Sequence, residues 1–327
     1  MHTNQKLLID YLLQKGATVN IINQEEELVE INYNNKKDFL YDRFSSQISL
    51  VPLKITADKF LTKNILQKNY IHTPEGMIFS ANSYHEAIFF AEKLYPVVLK
   101  PNFGSHGDFV FTNIENKKEL KRAISEFYKN YHQDTPFIIE KFYPWKEYRL
   151  FITENQDFAV IHRDWAHIVG DGISTIATMI EKENDRRKIL KKTKNTSLCP
   201  IVVDSEVIQH LQKQSLDVNN IVEKNQKVYL RQESNLAKGG VSINMTNEMP
   251  VFFKQLAWKI LKSFPQLKLA GIDMLSNNID DENPLYTILE VNSNPGLTMH
   301  HYPGVGKEEP VASYLAKIMF PDWFEEY

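Results

Sequence analysis

The chain has 327 residues, with 38 Lys and Arg against 41 Asp and Glu and a formal net charge of −3. Its length suits about two domains, or three small ones sharing a core. The near balance of charge excludes a general nucleic-acid binder, which needs a basic excess to displace counterions from phosphates. A single cysteine, Cys199, excludes an internal disulfide framework and a four-cysteine zinc site, and it fits a reducing compartment. No stretch reaches the roughly 18 apolar residues of a membrane span. The best candidate, 251–264, is broken by Lys254, Gln255, Lys259, Lys262 and Ser263, and Asp10 interrupts the apolar run 7–13 where a signal peptide would be continuous. A cytoplasmic protein is expected, without a membrane or nucleic-acid partner.

Repeats and low-complexity blocks are absent, and helical and strand patterns alternate as in mixed α/β chains. Leu7, Leu8, Tyr11 and Leu12 give one helical face stopped by Gly16, and 17–22 and 28–33 read as strands. This opening unit, to about residue 51, is a small α/β domain. A second unit starts near Asp58 with a helix and continues through a strand at 77–79. Ser83 with Glu86, and Asn116 with Glu119, have capping-box spacing and place helices at about 84–94 and 117–130. Strands at 96–100 and 109–112 flank a glycine-bearing loop, and further strands follow at 137–140, 148–153 and 158–162. Later, Phe252, Phe253, Leu256, Ala257, Ile260, Leu261 and Phe264 fall on one helical face. Two β-rich runs, 269–275 and 285–291, precede Asn-Ser-Asn-Pro.

Several segments carry candidate chemistry. Glu290 and Asn292 share one face of a strand, and Asp273 on a neighbouring strand completes an all-oxygen set suited to magnesium; a strand end leading into a turn fits the same residues. Lys100 ends an apolar strand before a loop with Gly104 and Gly107, a pattern that holds phosphate through a cation and backbone N–H groups. It is not a Walker loop, and a hairpin with an exposed lysine is the plainer reading. The run 137–149 breaks at Pro144, and such a strand end can receive a purine, with Glu147 accepting from ribose; a strand crossing with a solvated Glu–Arg pair fits equally. His300 and His301, if on a strand, point in opposite directions and make a poor zinc pair. Asp171-Gly172 reads as a turn. Arg186, Arg187 and the lysines of 188–194 read as a solvated helix end able to attract an anion.

Together, in this order, these segments resemble the ATP-grasp ligases, over nearly the whole chain. The carrying residues are Asp58-Lys-Phe-Leu-Thr-Lys63, Val98-Leu-Lys-Pro, Ile139-Glu-Lys-Phe-Tyr, Glu147-Tyr-Arg, Gly271-Ile-Asp-Met and Leu289-Glu-Val-Asn-Ser-Asn-Pro-Gly. Within that superfamily, 168–176, 227–235, Gly239-Gly240 and 299–307 are similar to the glutathione synthetase module of bifunctional glutathione-synthesising enzymes. Cyanophycin synthetases resemble the same stretches, and the loop Gly104-Ser-His-Gly107 looks more like theirs.

The resemblance implies an ATP-grasp fold with three layers: an N-terminal α/β domain (1–57), a central lid domain (58–140) and a C-terminal domain (141–327) with the metal and acceptor sites. ATP lies between the last two. Lys63 and Lys100 would contact phosphates, and the loop with Gly104, Ser105, His106 and Gly107 would close over them. Glu140, Lys141, Phe142 and Tyr143 would line the adenine pocket and Glu147 would bind ribose. Asp273, Glu290 and Asn292 would hold two Mg2+ ions, with Mn2+ as a substitute. Arg149, Arg231 and Asn235 would be catalytic, and Arg163, Gly239, Gly240 and Asn294 would meet the substrate. The implied reaction joins a small carboxylate to an amine through an acyl phosphate, with γ-glutamylcysteine and glycine as the first pair to try. Amino-acid polymer extension, natural-product tailoring and a silent nucleotide-binding scaffold are the alternatives, and a homodimer is compatible with the family.

Two residues depart from the cyanophycin-type loop: Phe109 stands where a glycine is usual, and Asp108 replaces a basic residue. The γ-glutamylcysteine synthetase domain that precedes the module in the bifunctional enzymes has no counterpart here, and the closing 320–324, Phe-Pro-Asp-Trp-Phe, can dock on the body or on a partner.

Overall fold

The alternating patterns resolve into four sheets in the computed structural model, which describes residues 3–42, 44–104 and 108–324, the side chains of 323 and 324 excepted. Helix α1 (Thr3–Gln14) buries Leu7, Leu8, Ile9 and Leu12, and Gly16 turns the chain at φ 90°. Strands β1 (Thr18–Asn23), β2 (Leu28–Tyr33), β3 (Lys36–Tyr41) and β4 (Phe44–Ser45) follow as an antiparallel meander. The last two strands carry little apolar signal, because only Asp38 and Leu40 of β3 turn inward. Helices α2 (Leu50–Ala57) and α3 (Lys59–Lys68) come next, and Asp58 caps α3 by accepting from the Leu61 N–H at 2.8 Å.

The central unit contains β5 (Gly76–Phe79), α4 (Tyr84–Glu92), β6 (Val97–Pro101), β7 (Phe111–Ile114), α5 (Lys117–Asn130) and β8 (Phe137–Lys141), with its sheet in the order β5-β8-β6-β7. Helix spacing in α5 turns Leu120, Ala123, Ile124 and Phe127 onto the sheet, where they meet Val97, Leu99, Phe137 and Ile139. Alternation then sends Lys100 and Glu140 to the opposite face. Asn116 caps α5 as expected, through the N–H groups of Lys118 and Glu119. The Ser83–Glu86 box does not form, because Ser83 Oγ accepts instead from the Ser80 N–H at 2.9 Å and closes a short 3-10 turn.

The remaining elements are β9 (Lys146–Thr153), β10 (Phe158–Asp164), β11 (His167–Val169), α6 (Ile176–Thr193), α7 (Ser205–Lys213), β12 (Lys227–Tyr229), β13 (Val241–Asn244), α8 (Val251–Lys262), β14 (Leu269–Ser276), β15 (Tyr286–Asn292), α9 (Thr298–His301) and α10 (Val311–Met319). Strands β11 and β12 pair apart from the rest and, with α6 and α7, enclose a small core around Ile168, Ile176, Val207 and Leu230. The large sheet runs β13-β10-β9-β14-β15. Helix α8 packs on one face through Phe253, Leu256, Ala257, Ile260 and Leu261 against Tyr148, Leu150, Ile152 and Ile272. Phe252, expected on that stripe, is exposed, one position round the helix. Leu66 and Ile71 join the same core, so α3 and the segment after it pack with the large sheet.

The other face of the large sheet divides in two. Around Phe151, Ala159 and Leu269 it is apolar and covered by α1, α10 and the N-terminal unit. Along the other half, register aligns Arg149 with Asp273 and Asp273 with Glu290, while Arg163 lies opposite Glu147. A bulge decides the alignment on β15. Asp273 faces Glu290 and Met274 faces Ile288, which leaves Leu289 as the extra residue.

Phe320, after α10, is docked on the body. Phe320 is buried, with its ring 6.1 Å from that of Tyr33 on β2. Phe320→Ala should therefore lower global stability by about 3–5 kcal/mol, read by urea denaturation, because it empties a pocket shared by α1, α10 and β2.

Candidate active site

Buried charge gathers in two clusters. The first is built on Glu140, which is 2% exposed. Its two carboxylate oxygens receive Lys63 Nζ at 2.7 Å and Lys100 Nζ at 2.5 Å. Lys63 also donates to the Pro74 carbonyl at 2.8 Å. Burial acts against the charge on Glu140, but Lys100 and then Lys63 outweigh it and hold the carboxyl below its usual range. Burial pushes the Lys63 ammonium down, with Glu140 opposing. Three charges for two lysines and one glutamate leave an excess cation, the arrangement an anionic ligand requires. Gly76 makes room for the cluster, since a Cβ there would lie 2.6 Å from Glu140 Cβ and 2.9 Å from Lys63 Nζ.

The second cluster lies on the large sheet. Asp273, 3% exposed, is held by Arg149 through both oxygens, with Nη2 at 2.8 Å from Oδ2, and by Arg163 Nη2 at 2.8 Å. Arg163 also pairs with Glu147, directly opposite it. Burial would raise the Asp273 carboxyl, yet Arg149 and then Arg163 hold it well below the carboxylate range. Burial and then the Asp273 charge raise that of Glu290. Asn292 Nδ2 donates to Glu290 Oε1 at 2.9 Å, so the two side chains share a side of the strand end. Gly271 leaves space for Arg149, because a Cβ there would approach its Nη1 to 3.1 Å and Pro295 to 2.5 Å.

The donor set Asp273, Glu290 and Asn292 fits a hard divalent cation: all ligating atoms are oxygens and all three side chains converge at one sheet end. Two guanidinium groups and a raised carboxyl now balance charge that a cation would otherwise neutralise. Among the described residues no three His, Cys, Asp or Glu side chains group for a metal, so the third donor would have to be the amide oxygen of Asn292.

Residues 171–315 match the family model described as a RimK-like ATP-grasp domain. Over those residues the chain is similar to ATP-grasp domains. The glutathione biosynthesis bifunctional protein GshAB of Clostridium perfringens is 27% identical over 324 residues, 97% of this chain and 41% of that protein. Cyanophycin synthetase of Synechocystis is 29% identical over 298 residues, 90% of this chain and 34% of that one. The crystal structure of a bifunctional glutathione synthetase from Pasteurella multocida superposes with a TM-score of 0.72 at 26% identity, over 98% of this chain and 44% of that chain. This chain thus spans well under half the length of the curated relatives it matches. ATP-grasp ligases as a class use ATP and divalent cations, and among the described residues no helix is long and apolar enough to cross a membrane.

The structure brings together Lys63, Lys100 and Glu140, and separately Arg149, Arg163, Glu147, Asp273, Glu290 and Asn292. Other expected site residues are engaged differently. Glu140 turns to the two lysines rather than to an adenine pocket, and Glu147 accepts from Arg163 and Ser234 Oγ rather than standing ready for ribose. Lys141 Nζ donates to the carbonyls of Leu94 and Tyr95, and the N–H groups of Lys141 and Phe142 donate to Glu75 and Pro96. Arg231 is buried against α7, bonded to Asp204 at 2.6 Å, to Glu206, and to the Val202 carbonyl at 3.0 Å, so its charge is already matched. Asn235 caps a short turn by accepting from the Ala237 N–H, and its carbonyl receives Gly240 N–H. Gly239, at φ 102°, offers its carbonyl to Arg187. Arg187, expected to be solvated, is instead buried and ties Glu183, the Cys199 carbonyl and Gly239 together. Asn294 follows β15 and is half-buried. Ser105, His106 and Gly107 lie outside the described residues.

Phe109 takes a left-handed backbone, φ 55°, at the position where the loop resemblance leads us to expect glycine, and its ring packs edge-on to Tyr131 at 5.2 Å. The bulk of Phe109 is thereby directed onto the central unit. His300 and His301 sit on α9, not on a strand, and His300 is completely buried beside Phe151. Sequence reasoning passed over Lys59, whose Nζ donates to the Gly104 carbonyl at 2.7 Å. It named Tyr143 but missed the aromatic neighbours that flank it, His72 and Trp145, the latter 4.5 Å away. The alternating aromatics around Pro144 were the available signal for that group.

Glu140→Gln should cost about 3–5 kcal/mol in urea unfolding, because it strands two buried ammonium groups. A pH effect follows from His300, whose two ring nitrogens have no partner and whose pKa burial pushes down to about 3. A lowered histidine contributes stability that is complete above its unfolded value of about 6.5 and is lost as pH falls toward 3. Between pH 7.5 and pH 5 the chain should lose about 2 kcal/mol more than His300→Gln, measured by denaturant unfolding at both values.

Proposed function

We propose that this chain is an ATP-dependent carboxylate–amine ligase working through an acyl phosphate, with a γ-glutamyl dipeptide and glycine as its substrates. The reading is carried by one observation: α3, which brings Lys63 to Glu140 and Lys100, packs against β15, the strand of Glu290 and Asn292. The similarity to GshAB and to the Pasteurella structure over nearly all of this chain supports the substrate class.

In this reading the chain divides at about 57 and 140, and the nucleotide lies between the second and third parts. Lys63 and Lys100 attract phosphate oxygens. Asp273, Glu290 and Asn292 would hold two divalent cations, which would neutralise charge on the triphosphate. The substrate carboxylate attacks the γ-phosphorus and ADP departs; the amine then attacks the acyl carbon, phosphate leaves, and the amine loses a proton. No protein nucleophile is required. Arg163 and Arg149 would face the transferred phosphoryl group and lower the energy of its developing negative charge. Tyr143, Trp145 and His72 form the apolar wall for the base.

The test is ADP release by the purified protein with Mg2+, ATP and a panel of carboxylates and amines. Substrate-dependent release with γ-glutamylcysteine plus glycine supports the proposal. Release with other pairs alone moves the substrate class toward the cyanophycin-type ligases. Glu290→Gln should lower the rate by about 10²–10³, the scale of one lost charge-stabilising group; an unchanged rate would remove the cation site from the mechanism.

A further inference from the structure

The loop after β15 leaves the strand at Asn292 and reaches α9 at Thr298. It is gripped at both ends by the first part of the chain. At its start, the buried Ser293 Oγ accepts from Thr56 Oγ1 of α2 at 3.0 Å. In its middle, Pro295 lies against Gly271 of β14, with no room for a Cβ between them. At its end, α9 has no local cap, because Leu297 stands at the N-cap position and offers no acceptor. The first N–H groups of a helix need one. Asn4 of α1 supplies it from 293 positions away in sequence. Its Oδ1 accepts from the Leu297 N–H at 2.8 Å, the Thr298 N–H at 2.9 Å and Thr298 Oγ1 at 2.7 Å. Two of these partners can only donate, so they fix which way the amide points. Asn4 is buried beside the apolar face of α1. Packing alone would be served by an apolar residue there, and a polar one is costly unless its bonds are made. The side chain answers the loop, not the core.

We propose that Asn4 is a positioning residue: it clamps 293–298 and so sets where Asn294 meets a ligated substrate. The role rests on the ligase reading above. Asn294 lies between the two anchored points, Ser293 and Leu297, and its place follows from theirs. Glu290 and Asp273 are placed by strand register instead, and do not depend on the clamp. Loosening the loop therefore adds an ordering cost when substrate binds, and leaves nucleotide affinity and chemistry nearly unchanged.

Two readouts separate the clamp from the wider reading. Without substrate, amide hydrogen exchange followed by mass spectrometry should be about tenfold faster over 293–301 in Asn4→Ala, with α5 and β8 as in the parent. Asn4→Asp should exchange as the parent does, since a carboxylate oxygen accepts from the same three donors. With Mg2+, ATP and a pair that supports ADP release, Asn4→Ala should raise KM for the carboxylate or the amine about tenfold. KM for ATP and kcat should stay within about twofold, and Asn4→Asp should restore most of the loss. Unchanged exchange over 293–301 in Asn4→Ala overturns the clamp. Faster exchange with every kinetic constant unchanged, an equal rise in KM for ATP, or a fall in kcat alone overturns the positioning role. A parent protein that releases no ADP with any pair sinks the ligase reading, and the exchange comparison still decides the clamp.

Discussion

Asp273 keeps its negative charge in a place where water cannot reach it, and the rest of the candidate site is arranged around that fact. An isolated carboxylate in such a position would take up a proton; two arginines on adjacent strands prevent it. Because the large sheet is antiparallel and in register, Arg149, Asp273 and Glu290 come from three different strands yet meet in one row. One half of the same sheet face is an ordinary apolar core, and the other half is a line of matched charges. The covered half holds the geometry of the open half. α1, α10 and the docked Phe320 thus serve the site from a distance.

Much of this was legible because local pattern suffices for it. Alternation fixed which residues of β9 and β14 share a face, and the spacing of α8 fixed its buried stripe apart from Phe252. The trio at 273, 290 and 292 was readable as a set of oxygens, and the structure places it as a set. What could not be read was pairing between distant segments. Glu140 meets Lys63 across 77 positions, and Arg231 meets Asp204 across 27. A solvated-looking arginine such as Arg187 becomes a buried strut because two remote carbonyls need a donor. Strands β3 and β4 escaped notice because an inward Asp38 breaks the apolar count; its carboxylate is answered by Ser45 Oγ and the Ser46 N–H.

The loop departures take on a different meaning in three dimensions. A phenylalanine in a left-handed conformation carries a backbone penalty of about 1–2 kcal/mol that glycine would not. Here the ring contact with Tyr131, which itself stacks on Phe127, compensates part of it. Phe109 thus anchors the far end of the loop to the central unit, as Lys59 holds the near end to α3. The loop of this chain is secured at both ends by side chains rather than left to glycine freedom.

The unpaired Leu289 has a reach beyond its own position. Ile288 points under α8, and strict alternation would send Glu290 there too, burying an acid in hydrocarbon and turning Val291 outward. One additional residue reverses the parity, so the greasy side of the strand and its chemical side each stay whole on either side of it. Natural variation in this region is therefore constrained in length before it is constrained in identity: a lineage can exchange the side chain at 289, but removing the position would invert everything downstream of it.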